Sequence, residues 1–115
     1  MSKKFVSTRR KGFHMTFENG LALSVQWGAG NYCDNYSDDD FSCTKDARSD
    51  TAEIAIIYPD GEFLNPADFG IGDSDGMVAG WLTSDQVADL MYRVKNTTVE
   101  QAAEYRKNIF DPWGD

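Results

Sequence analysis

The side chains able to do chemistry fall into three sets. The largest is aromatic and polar: Trp27, Tyr32, Tyr36, Phe41 and Trp81 flank loop-like stretches, with Gln26, Asn31, Asn35 and Arg48 close by in sequence. Ring planes accompanied by amides and a guanidinium suit a planar ligand such as a nucleobase, or the anchor residues of a protein interface. The plainer reading is that the tryptophans close the rim of the core. Arg106, near the end of the chain, would add a second guanidinium if the fold brings it to this rim. Trp27, Asn31, Tyr32, Arg48, Trp81 and Arg106 are therefore the candidate ligand- or partner-binding residues. The second set is the run Asp38, Asp39, Asp40, the sharpest local charge in the chain. It reads as a solvated loop tip, or else as a contact to a divalent cation or a basic partner. The spacing of a calcium-binding EF-hand is absent, which weakens the cation reading.

The third set is His14, Cys33 and Cys43. His14 is the only histidine, so a tetrahedral zinc site would lack ligands, and no metal or other cofactor is expected. The two cysteines lie ten residues apart without a Cys-x-x-Cys pattern; free thiols are the expectation, and a bridge between them stays open. Cys33 as a nucleophile would need a base, and nothing in the sequence places His14 beside it. Gly28-Ala29-Gly30 follows a strand pattern but no helix pattern comes after, so it lacks the context of a phosphate cradle. No nucleophile elbow, phosphate loop, zinc-protease motif or dinucleotide fingerprint occurs, so no catalytic residue is nominated.

The elements that must hold these groups begin with Gly12 to Tyr32, GFHMTFENGLALSVQWGAGNY. Glu18-Asn19-Gly20 between two apolar runs signals a β-hairpin. A two-residue loop would mix apolar and polar residues on both faces. A three-residue loop pairs Phe17 with Leu21, Met15 with Leu23 and Phe13 with Val25, which gathers the large apolar residues on one face. The opposite face then holds His14, Thr16, Ala22, Ser24 and Gln26. Residues 28–50 read as a long loop, with a short strand around Phe41–Thr44. Residues 51–58, TAEIAIIY, form the central-strand candidate, and Pro59-Asp60-Gly61 repeats the same turn chemistry, pairing Ile57 with Phe63 and Ile56 with Leu64. Both faces of this second hairpin are apolar, which predicts cover on both sides. Residues 65–80 read as loop; Asp73 and Asp75 there fit ordinary turn chemistry.

Thr83 with Gln86 is a capping-box pattern, with Leu82 and Val87 as a hydrophobic staple. Val87, Leu90, Met91 and Val94 give a helical apolar stripe, and Asn96 suits a left-handed terminus. A second helix starts at Thr97 or Thr98 and continues to about Phe110, before a tail ending Pro-Trp-Gly-Asp. The fold class expected is α+β: a mostly antiparallel sheet of four or five strands, made from two hairpins, with two C-terminal helices packed on one face.

Length and charge bound the rest. The 115 residues suffice for one domain with one modest core. Five of the 11 basic residues lie within residues 1–12, which contain no acid; the other six face all 19 acidic residues, so that remainder carries about −13. Residues 1–11 read as a basic, disordered arm and 12–115 as a single α+β domain. The acidic body argues against direct nucleic-acid binding, but suits a protein that occupies another protein's basic surface. No stretch approaches the roughly 18 apolar residues of a membrane span, and the basic start lacks the apolar core of a secretory signal. A cytoplasmic location without membrane contact is expected.

The run FENGLALSVQWGAGNYCDN, followed by TAEIAIIYPDGEF and GWLTSDQV, resembles a family of small uncharacterised proteins of bacteriophages and their hosts, over about Gly12 to Val94. The resemblance implies a phage-type accessory protein made in the host cytoplasm. It transfers no functional residue. Such proteins often act by binding, as inhibitors of host defence or host enzymes. The leading expectation is a non-enzymatic binding protein that inhibits a host protein or sequesters a small nucleotide-like signal, with a homodimer possible. The alternatives are an acidic nucleic-acid mimic that inhibits a DNA-binding protein, and a small metal-dependent hydrolase using Asp residues near His14.

Overall fold

The structure, a computed structural model, describes residues 3–71 and 77–109. In chain order the elements are β1 (Phe5–Ser7), β2 (Gly12–Thr16), β3 (Ala22–Gln26), β4 (Ala52–Ile57), β5 (Phe63–Leu64), a short 3-10 helix (Pro66–Phe69), β6 (Val78–Leu82), α1 (Ser84–Lys95) and α2 (Val99–Lys107). The Asp73 and Asp75 readings, the Phe110 helix end and the aromatic tail lie outside the described residues.

Turn chemistry fixes the register of the sheet. Gly20 sits at φ 90° and its N–H donates to the Phe17 carbonyl at 2.9 Å, while the Phe17 N–H donates to Leu21. A left-handed residue closing a three-residue loop is the role glycine fills without steric cost. The pairs Phe13–Val25 and Met15–Leu23 follow, as expected. Gly61, at φ 91°, does the same for β4 and β5, giving Ile56–Leu64 and Ile57–Phe63. The strand order is β1-β2-β3-β4-β5, with β6 also on β4, and every pairing among the described residues is antiparallel.

One face of this sheet is the core. Leu23, Ile54, Ile56 and Leu64 are fully buried there, and Val87, Leu90 and Val94 of α1 and Ala102 of α2 close over them. Asn19 locks the hairpin to the helices. Its amide donates at 2.8 Å to the carbonyls of Val94 and Thr97, in the last turn of α1 and just beyond it. Arg93 reaches the Phe69 carbonyl at 3.0 Å and lies over Gly70, where a Cβ would collide with the guanidinium. The α1 capping box forms as read, Thr98 caps α2, and Leu82 and Val87 are both buried.

Several expectations change. Phe5–Ser7, expected in a disordered arm, pairs with β2 as an edge strand. Its connection is the turn Thr8-Arg9-Arg10-Lys11, with Arg9 at φ 50° and Arg10 at φ 65°. β6 and the 3-10 helix occupy part of a stretch read as loop, while Phe41–Thr44 forms turns and no strand. Asn96 ends α1 at φ −95°, so it is not left-handed. The helices cover one side of the second hairpin; the other side is covered in part, with Ala55 buried and Phe63 39% exposed.

Candidate functional site

β4 and β6 position the site. Their pairing is regular from Ala55–Val78 to Ile54–Ala79 and resumes at Ala52–Leu82, with an irregularity between. Gly80 and Trp81 fill that irregularity. Trp81 sits at φ 54°, a backbone state that is an outlier for a bulky residue. Bulged strands re-aim side chains in this way, often beside functional sites. The main chain of Tyr32 crosses directly over Gly80: a Cβ on Gly80 would lie 2.5 Å from the Tyr32 Cβ and 2.8 Å from its carbonyl oxygen. That oxygen accepts the Trp81 N–H at 2.7 Å.

The result is a triangular cluster of three rings. Tyr32 lies near-parallel to Trp81, centroids 5.7 Å apart at 20°, and to Tyr36, 5.6 Å apart at 18°. Tyr36 and Trp81 are 6.3 Å apart, tilted by 38°. Trp81 is 52% exposed and Tyr36 48%, so these two rings give half their surface to solvent although each packs on Tyr32.

The loop beneath is pinned at each step. The Glu53 carboxylate, the one charge in the β4 run, accepts from the Tyr32 N–H at 3.2 Å and the Asn31 amide at 3.3 Å. Asn31 in turn accepts the Gly28 N–H, and the Asn35 amide donates to the carbonyls of Trp27 and Arg48, both at 2.7 Å. Thr51 donates its hydroxyl to Asp34 and receives the Asp34 N–H. Cys33 is buried among these bonds; burial raises its pKa, so at neutral pH it is a thiol and a poor nucleophile. Cys33 and Cys43 are both free.

The predicted site residues therefore separate. Tyr32 and Trp81 come together, with Tyr36 as the third ring. Asn31 supports them from below. Trp27 does not join: its indole N–H donates to the Ala47 carbonyl at 2.9 Å and its ring meets Phe13 edge-on, so it closes the core's rim. Arg106 does not reach the rim either, since its guanidinium pairs with Asp60 of the second hairpin turn at 2.8 Å. The exposed Arg48 lines a shallow polar hollow of about 370 Å³ with Asp34, Asn35, Ser49 and Asp50.

Asp38 and Asp40 lie in a second hollow, of about 220 Å³, beside Arg10, Lys11 and Lys45. Asp40 is spent on folding the loop, accepting from the Thr44 N–H and hydroxyl, and the Thr44 N–H leads in lowering its pKa. Asp38 accepts the Asp40 N–H, and Asp39 is exposed. Among the described residues, no group of three or more His, Cys, Asp or Glu is placed to hold a metal ion. No helix among them is long and apolar enough to cross a membrane.

Sequence reasoning passed over Gly80 and Glu53. Glu53 carried a signal, as a lone carboxylate inside an apolar strand. Gly80 carried none, because its need for a bare backbone arises from Tyr32, 48 positions away. Fold and surface together define an α+β domain whose described residues form a six-stranded antiparallel sheet, with an aromatic cluster held at the sheet's rim by a pinned loop. Comparison with family models, with curated proteins and with solved structures finds no match to this chain.

Proposed function

We propose that this is a non-enzymatic binding protein of phage type, acting in the host cytoplasm, that inhibits a host protein by docking the Tyr32–Tyr36–Trp81 ring cluster against it. The observation that carries this reading is Trp81, held at φ 54° with its indole 52% exposed. A core tryptophan gains nothing from such an arrangement. Strained backbone persists where the surroundings impose it, and it gathers at binding and catalytic sites. Half-exposed aromatics on a rigid support are the residues that dominate interface energies. The net charge of −8 favours a partner whose contact surface is basic around an apolar centre.

The test compares the wild type with Trp81→Ala, both shown to be folded by circular dichroism, as immobilised baits in lysate of a bacterial host. A host protein retained by the wild type and lost from Trp81→Ala, with binding weakened by about thirty-fold for a loss near 2 kcal/mol, supports the reading. Equal retention by both baits refutes it. The near-parallel rings also suit a planar base, so native mass spectrometry of freshly purified protein serves the second reading. A co-purifying mass of nucleotide size, absent from Trp81→Ala, would move the proposal from inhibition to sequestration. The nucleic-acid-mimic reading gains less support, because Asp38 and Asp40 lie among cations and Asp40 is bonded within its own loop.

A further inference from the structure

We infer that β1 is a self-association edge, where two copies of the chain join across a two-fold axis at Val6 into one continuous sheet. This rests on the edge strand and is independent of the aromatic stack. β1 is the terminal strand of the sheet. The Thr16 N–H donates to Lys4 at 2.9 Å and the Thr8 N–H to Gly12 at 3.0 Å, which places the backbone groups of residues 4, 6 and 8 toward β2. Antiparallel alternation then turns the N–H and C=O of Phe5 and Ser7 outward, as an open ladder. The side chains match: Phe5 is 72% exposed and Val6 46%, on opposite faces. Within Phe5–Ser7 there is no proline, bulge or inward charge, and what guards this edge is its three-residue length and the flanking lysines.

The pattern is self-complementary. Centring the pairing on Val6 sets Phe5 opposite Ser7 of the partner subunit, and Ser7 opposite Phe5 of the partner subunit. Both are pairs whose outward groups can exchange two hydrogen bonds. Val6 meets Val6 of the partner subunit as the close, non-bonded pair, Cα atoms about 4.5 Å apart. On the core side, Phe5 of the partner subunit lands beside the small Ser7, about two strand spacings or roughly 10 Å from Phe13. Two phenyl rings can meet above a serine. Phe13 lines an apolar groove of about 340 Å³ with Val25, Trp27, Leu82, Val87 and Met91. The ring of the second copy would close the open end of that groove. A second copy therefore accounts for the open ladder, both exposed apolar residues and the uncovered groove together.

The same register brings Lys3, Lys4, Arg9 and Arg10 of both copies to the ends of the new ladder. Like charges oppose the pairing, so the dimer tightens as salt rises, opposite to a contact made by charge attraction.

The experiment is light scattering or sedimentation across a concentration and salt series. The expected mass is twice the chain's 12.9 kDa, with more dimer at high salt. Ser7→Pro removes an outward N–H and leaves the bonds to β2 in place, so it should be a folded monomer. Val6→Cys in a Cys43→Ser background should form a covalent dimer on mild oxidation, whereas Cys43→Ser alone should not. A monomeric wild type at all concentrations overturns the inference, as does a folded Ser7→Pro that remains dimeric. Should Ser7→Pro not fold, the Val6→Cys crosslink decides: a dimeric protein without it uses another surface.

Discussion

Replacing Trp81 by glycine and by alanine separates backbone strain from ring contacts. Both variants lose the same indole, which is stacked on Tyr32, tilted against Tyr36 and about half buried. Two aromatic pairs at about 0.5–1.5 kcal/mol each put Trp81→Ala roughly 1–3 kcal/mol below the wild type, and only the glycine variant offsets part of this by releasing strain. They differ in the backbone alone. At φ 54° alanine bears the left-handed penalty of about 1–2 kcal/mol that glycine escapes. Glycine loses more chain entropy on folding, about 0.5–1 kcal/mol. The balance leaves Trp81→Gly the more stable by about 0.5–1 kcal/mol, a melting difference near 2–4 °C for a domain of this size. At an ordinary strand position the order is reversed, so the sign is diagnostic. Thermal and urea unfolding followed by circular dichroism read it directly. An alanine variant as stable as the glycine variant, or more so, would refute the strained-bulge account. The site would then lose the observation that sets it apart from a rim of exposed rings.

Four further outcomes follow from the geometry. Gly80→Ala should cost roughly 1–3 kcal/mol by overpacking, because its Cβ would meet the Tyr32 main chain and not a side chain that can swing away; a melt and the Trp81 fluorescence report it. Asn19→Asp should be worse than Asn19→Ala, itself about 1–3 kcal/mol below wild type, since a carboxylate would face the negative C-terminal end of α1; urea midpoints give the order. The Asp60 pKa is depressed, first by the Glu62 N–H and then by Arg106, so its contribution is present above the ordinary aspartate value of about 3.9 and lost as pH falls through the lower folded value. Asp60→Asn should therefore flatten the acid limb of the stability profile below about pH 4, and an unchanged limb would count against the pairing. In thiol labelling under native conditions Cys43 should react first, with Cys33 protected until the loop opens; simultaneous labelling would contradict the buried Cys33.

Where the rules acting were local, the sequence was readable. Both three-residue hairpin loops need only a glycine at the third position and apolar alternation on either side, and both registers follow from those residues. The α1 capping box needs only Thr83 and Gln86. β1 was hidden because its turn places Arg9 and Arg10, not Asn-Gly, at left-handed positions, so no turn signal marks it. β6 was hidden because Gly76 and Gly80 bracket a short apolar run and make it read as loop.

The same distinction explains why half of the proposed rim dissolved. Aromatic residues near loops share a composition but not a location, and location is set by strand parity and bulges. Trp27 follows Gln26 by one residue, so it turns to the face opposite and finds Phe13 and the Ala47 carbonyl. Trp81 would have followed its own strand's alternation had the β4–β6 ladder been regular. The bulge breaks that alternation, and the bare Gly80 backbone admits Tyr32 where a side chain would have stood. Such a bulge depends on what crosses above it, and that partner is distant in sequence. The position where the local rules fail is thus the position where three rings come together in solvent. A locally consistent sequence would have buried Trp81 or replaced it with glycine, and the chain does neither.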